Sequence, residues 1–102
     1  MKDKIEKIAE HYRFETQLIQ LGEENSELFE SLSKYHRFKN LKDTSIDDSN
    51  MLIQNIVEEI ADVEIMLEQM KILLDISNEA VESIKENKVN RQLERIEREG
   101  SK

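Results

Sequence analysis

From Phe14 to Tyr35 the apolar side chains recur in alternating steps of four and three: Phe14, Leu18, Leu21, then Asn25 in phase, then Leu28, Leu32 and Tyr35. Ile53, Ile56, Ile60, Val63, Leu67, Met70 and Leu74 repeat in the same way. Residues at this spacing line one face of a long helix, whereas a strand alternates faces at every residue. The composition agrees. The chain of 102 residues has no proline and only two glycines, so the strongest helix breakers are nearly absent. The fold class is all-α.

A shorter stripe, Ile5, Ile8 and Tyr12, comes first and is out of phase with the next. The jump near His11–Arg13 predicts a bend or short break there. Gly22 leaves the stripe in phase, so it is read as lying inside the second helix, at a cost of about 1 kcal/mol relative to alanine. Its missing side chain leaves room for another backbone or a ligand. Periodicity stops from Lys39 to Asn50, where Asn, Asp, Ser and Thr crowd together; these are turn and cap formers. A loop is expected over about 39–49, and a third helix from about Ser49 to Asp75, about 40 Å long. Ser77 or Asn78 caps a fourth helix, with Glu79 and Glu82 in its favourable first turn. Val81, Ile84, Val89, Leu93 and Ile96 form its apolar side. Residues 99–102 are expected to fray. The chain thus reads as one domain over 1–102, a short N-terminal helix followed by three longer ones.

With 37% hydrophobic residues and no tryptophan, long helices with narrow stripes bury little within one small chain. Self-association into a symmetric oligomer is the simplest source of the missing cover. A net charge of −8 argues against nucleic acid, whose phosphates need a basic face. The absence of cysteine excludes disulfide and thiolate chemistry. No apolar run reaches membrane-spanning length and no secretory segment follows Met1, so no membrane association and a cytoplasmic location are expected.

Two acidic pairs carry the chemistry. Glu24 and Glu27 stand three apart in Gly22-Glu23-Glu24-Asn25-Ser26-Glu27-Leu28, and Glu59 and Asp62 stand three apart in Val57-Glu58-Glu59-Ile60-Ala61-Asp62-Val63. Each pair shares a helix face at the rim of an apolar stripe. On antiparallel helices the four carboxylates would converge, and a hard divalent cation such as Mg²⁺ would relieve their repulsion. Glu23 and Glu58 project elsewhere. Gln17, Gln20 and Ser31 lie near the first pair, and Asn55 and Met66 near the second. Taken singly the spacing is weak, because Glu27/Glu30, Glu79/Glu82 and Glu94/Glu97 share it and a solvated helix face gives the same pattern. Other chemistries lack their parts. No glutamate stands three residues before His11 or His36, as a di-iron carboxylate bundle requires. Two histidines without cysteine make no zinc set. Gly22 and Gly100 form no phosphate-binding loop.

The segments Leu21-Gly22-Glu23-Glu24-Asn25-Ser26-Glu27-Leu28 and Glu58-Glu59-Ile60-Ala61-Asp62-Val63 resemble the Glu-Glu-x-x-Glu and Glu-x-x-Asp helices of the MazG-type all-α nucleoside triphosphate pyrophosphohydrolases, most nearly the short single-domain phage and Gram-positive type. Asn87-Lys88-Val89-Asn90-Arg91-Gln92-Leu93 is similar to that family's basic C-terminal helix. The resemblance runs from about Phe14 to Ile96. The segment between Glu27 and Glu59 is rather long for the family, the excess falling in the polar loop. The resemblance implies a MazG-like helical bundle completed by oligomerisation, as a homodimer or dimer of dimers. It implies that Glu24, Glu27, Glu59 and Asp62 form the catalytic centre by holding Mg²⁺, with Mn²⁺ a possible substitute. It implies an enzyme that hydrolyses (d)NTP to (d)NMP and pyrophosphate in nucleotide house-cleaning. Lys88, Arg91 and Gln17 are the candidate substrate contacts. Lys88, Arg91, Arg95 and Arg98 share one face, and pairing with Glu94 and Glu97 on an exposed surface explains them equally well. The alternative reading of the whole chain is a non-catalytic helical interaction module, or an inactive relative of the family.

Overall fold

The computed structural model describes residues 1–39 and 45–100, and all its regular structure is helical. Helix α1 spans Lys2–Phe38, α2 spans Ile46–Leu73 and α3 spans Asn78–Gly100. The expected four helices are therefore three, because the short first helix and the long second run together through a kink. Arg13 is the kink, with φ 66 and ψ 178 inside an otherwise helical run. This corner of backbone space is open essentially to glycine alone, and it falls where the stripe changes phase.

The sequence explains each helix end. At the start of α1 the Met1 carbonyl accepts from the amides of Lys4 and Ile5, with Asp3 in the first turn; His36 and Arg37 lie in the last turn. The last turn matches the helix dipole, while at the start Lys2 and Lys4 flank Asp3 and offset its favourable charge. Gly22 is helical and a Cβ there would meet nothing within 4 Å in this chain. Helix α2 begins earlier than expected. Ser45, not Ser49, is the N-cap: its Oγ accepts from the Asp48 amide at 3.1 Å, which satisfies an otherwise orphaned donor. The expected loop over 39–49 is thereby shortened at its far side, and 40–44 lie outside the described residues. At the other end Asp75 takes φ 55. Its amide donates to the Ile72 carbonyl and the Ile76 amide to the Lys71 carbonyl. This pair of bonds is a Schellman motif, which stops α2 and turns the chain. The Ser77 Oγ then accepts from the Ala80 amide at 3.1 Å, opening α3. Glu99 and Gly100 belong to α3, so the expected frayed tail is helical to Gly100, and 101–102 lie outside the described residues.

Helices α1 and α2 pack together along their length. Gln17 meets Gln69, while Glu24 and Glu27 meet Glu59. Contacts climbing α1 thus descend α2, and the two helices are antiparallel. The seam on α2 follows Leu52, Ile56, Glu59, Val63, Met66, Met70 and Leu73, all buried or half-buried. The expected stripe shared only Ile56, Val63 and Met70 with it. Its other row, Ile53, Ile60, Leu67 and Leu74, is 42–52% exposed. The seam on α1 is Gln17, Leu21, Glu24, Leu28, Ser31 and Tyr35, while Phe14, Leu18 and Leu32 lie outside it.

No residue of α3 is buried. Ile84, Val89, Leu93 and Ile96 are each more than half exposed. Near its start, Lys71 ties the helix to α2, donating to Asn78 Oδ1 at 2.9 Å while pairing with Glu68 at 2.6 Å. The result is an antiparallel hairpin with a projecting third helix. Its radius of gyration is 18.0 Å, against about 13 Å for a compact chain of this length. It exposes 8567 Å², where a folded monomer of this mass exposes roughly 6000 Å². No helix among the described residues is long and apolar enough to cross a membrane.

Candidate metal centre

The antiparallel pairing brings the two acidic pairs to the same level of the hairpin. Glu24, Glu27 and Glu59 each offer a carboxylate oxygen, and these oxygens lie within 4.8 Å of one another. Glu27 is exposed, while Glu24 and Glu59 are half-buried in the seam. Asp62 is exposed and outside that group of three, yet its charge bears on both Glu24 and Glu59. Glu23 and Glu58 are exposed and take no part in the cluster.

Each of the two seam carboxylates has one oxygen out of reach of solvent. Glu24 Oε1 accepts from Gln20 Nε2 at 2.7 Å. Glu24 Oε2 and Glu59 Oε2 are buried and have no hydrogen-bond donor. A carboxylate oxygen in that situation carries its desolvation cost uncompensated. The pKa directions express this. On Glu24 the Gln20 hydrogen bond holds the carboxyl down, but burial and the charges of Asp62 and Glu27 together outweigh it and leave the pKa raised. On Glu59 burial leads, followed by the charges of Glu27, Asp62 and Glu24, and the pKa is again raised. Either a proton or a cation relieves such a cluster. The donor set, all hard oxygen on two rigid helices, fits Mg²⁺ or Mn²⁺ rather than a soft metal.

Gln17 lies in the seam, not at a solvent-open substrate position. It is 5% exposed, and its Nε2 donates to Gln69 Oε1 at 2.7 Å. Gln69 is 1% exposed and turns its own amide toward Met66 Sδ at 3.5 Å. Gln69 carried no signal under the expected stripe. It becomes visible once the seam is read one residue earlier, through Glu59 and Met66, because it then stands as a buried polar residue between apolar ones.

Lys88 and Arg91 are exposed on α3. Among the described residues no hydrogen bond or ion pair joins them to Glu24, Glu27, Glu59 or Asp62, and none joins them to Glu94. Lys71 pairs with Glu68 and Lys85 with Glu82, and Arg95 donates to Gln92 Oε1 at 3.4 Å. Compared with models of protein families, with curated proteins and with solved structures, the chain matches none.

Proposed function

We propose that this chain is a Mg²⁺-dependent nucleoside triphosphate pyrophosphohydrolase, converting (d)NTP to (d)NMP and pyrophosphate. The observation that carries the reading is the pair of buried, donorless oxygens, Glu24 Oε2 and Glu59 Oε2, within the three-carboxylate cluster. Glu24, Glu27, Glu59 and Asp62 would hold the ion, with Mn²⁺ able to replace it. When bound, Mg²⁺ neutralises phosphate oxygens and makes a water more acidic. The chain's own residues do the rest. The two helices fix the carboxylates on rigid elements, so little reorganisation accompanies binding. The Gln20 amide holds one oxygen of Glu24 and thereby orients the other. Lys88 and Arg91 are the cations proposed to grip the terminal phosphates, while Gln17, buried against Gln69, would support the site from within the seam. The similarity of the two acidic segments to MazG-type enzymes supports the reaction assigned, and nucleotide house-cleaning is the role that goes with it.

Self-association belongs to this reading. The uncovered row Ile53, Ile60, Leu67 and Leu74, together with the bare apolar side of α3, supports a homodimer or a dimer of dimers. It is in that assembly, in the cytoplasm, that the cations of α3 would approach an acidic cluster. The same uncovered surface favours a second reading, a helical interaction module whose acids only solubilise it. Incubation with a panel of NTPs and dNTPs and Mg²⁺, with chromatographic separation of products, tests the two. A monophosphate and pyrophosphate are expected. Primary release of orthophosphate, or no turnover with any nucleotide, contradicts the enzyme.

A further inference from the structure

We propose that the Gln17–Gln69 hydrogen bond sets the register of α1 against α2, and that these two glutamines are positioning residues for the carboxylate cluster. The inference rests on the metal-site reading above for its purpose, but not for its evidence.

The apolar part of the seam does not fix a register. On α1 the seam residues Leu21, Leu28 and Tyr35 recur every seven positions. On α2 Ile56, Val63 and Met70 do the same, as do Leu52, Met66 and Leu73 with Glu59 in their row. A slip of seven residues, about 10 Å along the axis, therefore sets apolar side chains against apolar side chains again. The acids do not fix the register either. The observed pairing gathers Glu24, Glu27 and Glu59 within 4.8 Å, and Asp62 adds to the repulsion. Without a cation, slipping would separate these charges and be favoured.

What opposes the slip is the buried amide pair. Gln17 stands seven residues before Glu24, and Gln69 stands seven after Asp62. In an antiparallel hairpin the two glutamines thus meet one heptad away from the carboxylates, in the register that brings the acids together. The bond is short, at 2.7 Å, and both side chains are almost wholly buried. A slip in either direction separates them. Gln17 would then face the level of Asp62 or, past the end of α2, of Ile76, and Gln69 that of Glu10, before the Arg13 kink, or of Glu24, so each slip breaks the amide pair and leaves one of the two glutamines without a partner inside the seam. A buried polar pair of this kind favours one alignment over its neighbours while adding little to stability, as a single asparagine does in a coiled coil.

The chain has no cysteine, so a labelled pair of introduced cysteines reports register cleanly. Thr16→Cys on α1 and Asn50→Cys on α2, both exposed, lie about 30 Å apart along the axis in this register. Electron double resonance on spin-labelled protein, diluted in unlabelled protein, measures the distance within one chain. The parent should give one distance, and Gln17→Leu/Gln69→Leu should add populations displaced by about 10 Å. The same double variant should keep its helicity and its melting temperature, yet bind Mn²⁺ about 10- to 100-fold more weakly. Gln17→Met/Gln69→Met serves if the leucine pair fails to fold. A single, unshifted distance in the folded double variant overturns the proposal, whatever happens to metal binding. If the parent itself binds no Mn²⁺, the metal reading fails, and the distance measurement still decides the register.

Discussion

Leu67→Asp should dissociate the proposed homodimer while leaving the hairpin folded. In this chain Leu67 belongs to a row, Ile53, Ile60, Leu67 and Leu74, that is 42–52% exposed. Full burial of a leucine or isoleucine contributes roughly 1.5–3 kcal/mol, so about half of that, roughly 0.7–1.5 kcal/mol, is still to be gained at each position. Four positions on each of two chains give roughly 6–12 kcal/mol of gross driving force, comparable with the ~4–15 kcal/mol that association costs in lost freedom. On these magnitudes the proposed dimer would depend on the row. Further surface is at hand, since the chain exposes 8567 Å² where a folded monomer of its mass exposes roughly 6000 Å². In a symmetric dimer one substitution acts twice. Loss of two leucine contacts removes roughly 1.4–3 kcal/mol, and an unpaired carboxylate in the interface adds to that, so the dissociation constant should weaken at least about 100-fold. Within the monomer the cost is small, because the side chain is half in water already. Sedimentation velocity from about 1 to 100 μM, with circular dichroism alongside, reads both effects. Gln54→Asp, exposed on the same helix but off the row, is the control. If the native chain sediments as a 12.1 kDa monomer throughout, or if Leu67→Asp associates as tightly as the native chain, the reasoning fails.

Three other outcomes are expected. Glu24 and Glu59 have raised pKa values, so the folded chain binds more protons than the unfolded one between the ordinary glutamate range and the raised values. Metal-free stability should therefore fall as pH rises through that window, and the slope should flatten in Glu24→Gln/Glu59→Gln; melting curves from pH 4 to 7 with chelator check this, and an equal slope in the variant refutes it. Arg13→Gly should leave stability unchanged or raise it by up to about 1 kcal/mol, because glycine relieves the strain at φ 66 and ψ 178, whereas Glu15→Gly within the helix should cost about 1 kcal/mol; denaturant unfolding of both variants separates the two cases. Lys88→Ala and Arg91→Ala should each lower kcat/KM by about 10- to 100-fold, the worth of a charge-assisted phosphate contact of ~1.5–3 kcal/mol, while Arg98→Ala leaves it unchanged; equal small effects at all three positions would place the phosphate-binding cations elsewhere.

The helical character, the break before Phe14 and the helical placement of Gly22 were legible because each rests on local spacing. The choice of seam row was not. On α2 the rows through Ile53, Ile60, Leu67 and Leu74 and through Leu52, Glu59, Met66 and Leu73 lie one residue apart, and both flank Ile56, Val63 and Met70. Apolarity alone selects the first row, but α1 covers the second. That shift moves Glu59 from the rim of the stripe into the seam, and it brings Gln17 and Gln69 into contact. It also leaves an apolar row uncovered. The start of α2 was missed for a similar reason, since Ser45 and Ser49 are equal as caps until the Asp48 amide is seen to reach Ser45 Oγ. Nor does spacing say what α3 packs against, because a stripe records which side is apolar and not whether this chain supplies its cover.

A Mn²⁺ titration followed by electron paramagnetic resonance shows whether Glu24, Glu27, Glu59 and Asp62 hold a divalent cation, as proposed. Bound Mn²⁺ loses the sharp signal of the free ion, so occupancy is read without any turnover. At pH 7 the native chain should take up Mn²⁺ saturably, and Mg²⁺ should displace it. Asp62→Asn should bind more weakly, and Glu24→Gln/Glu59→Gln, which removes the two buried donorless oxygens as charged ligands, should not bind while remaining helical. Free-ion signal undiminished by the native protein up to millimolar Mn²⁺, or equal uptake by the folded double variant, would mean that these carboxylates hold no cation.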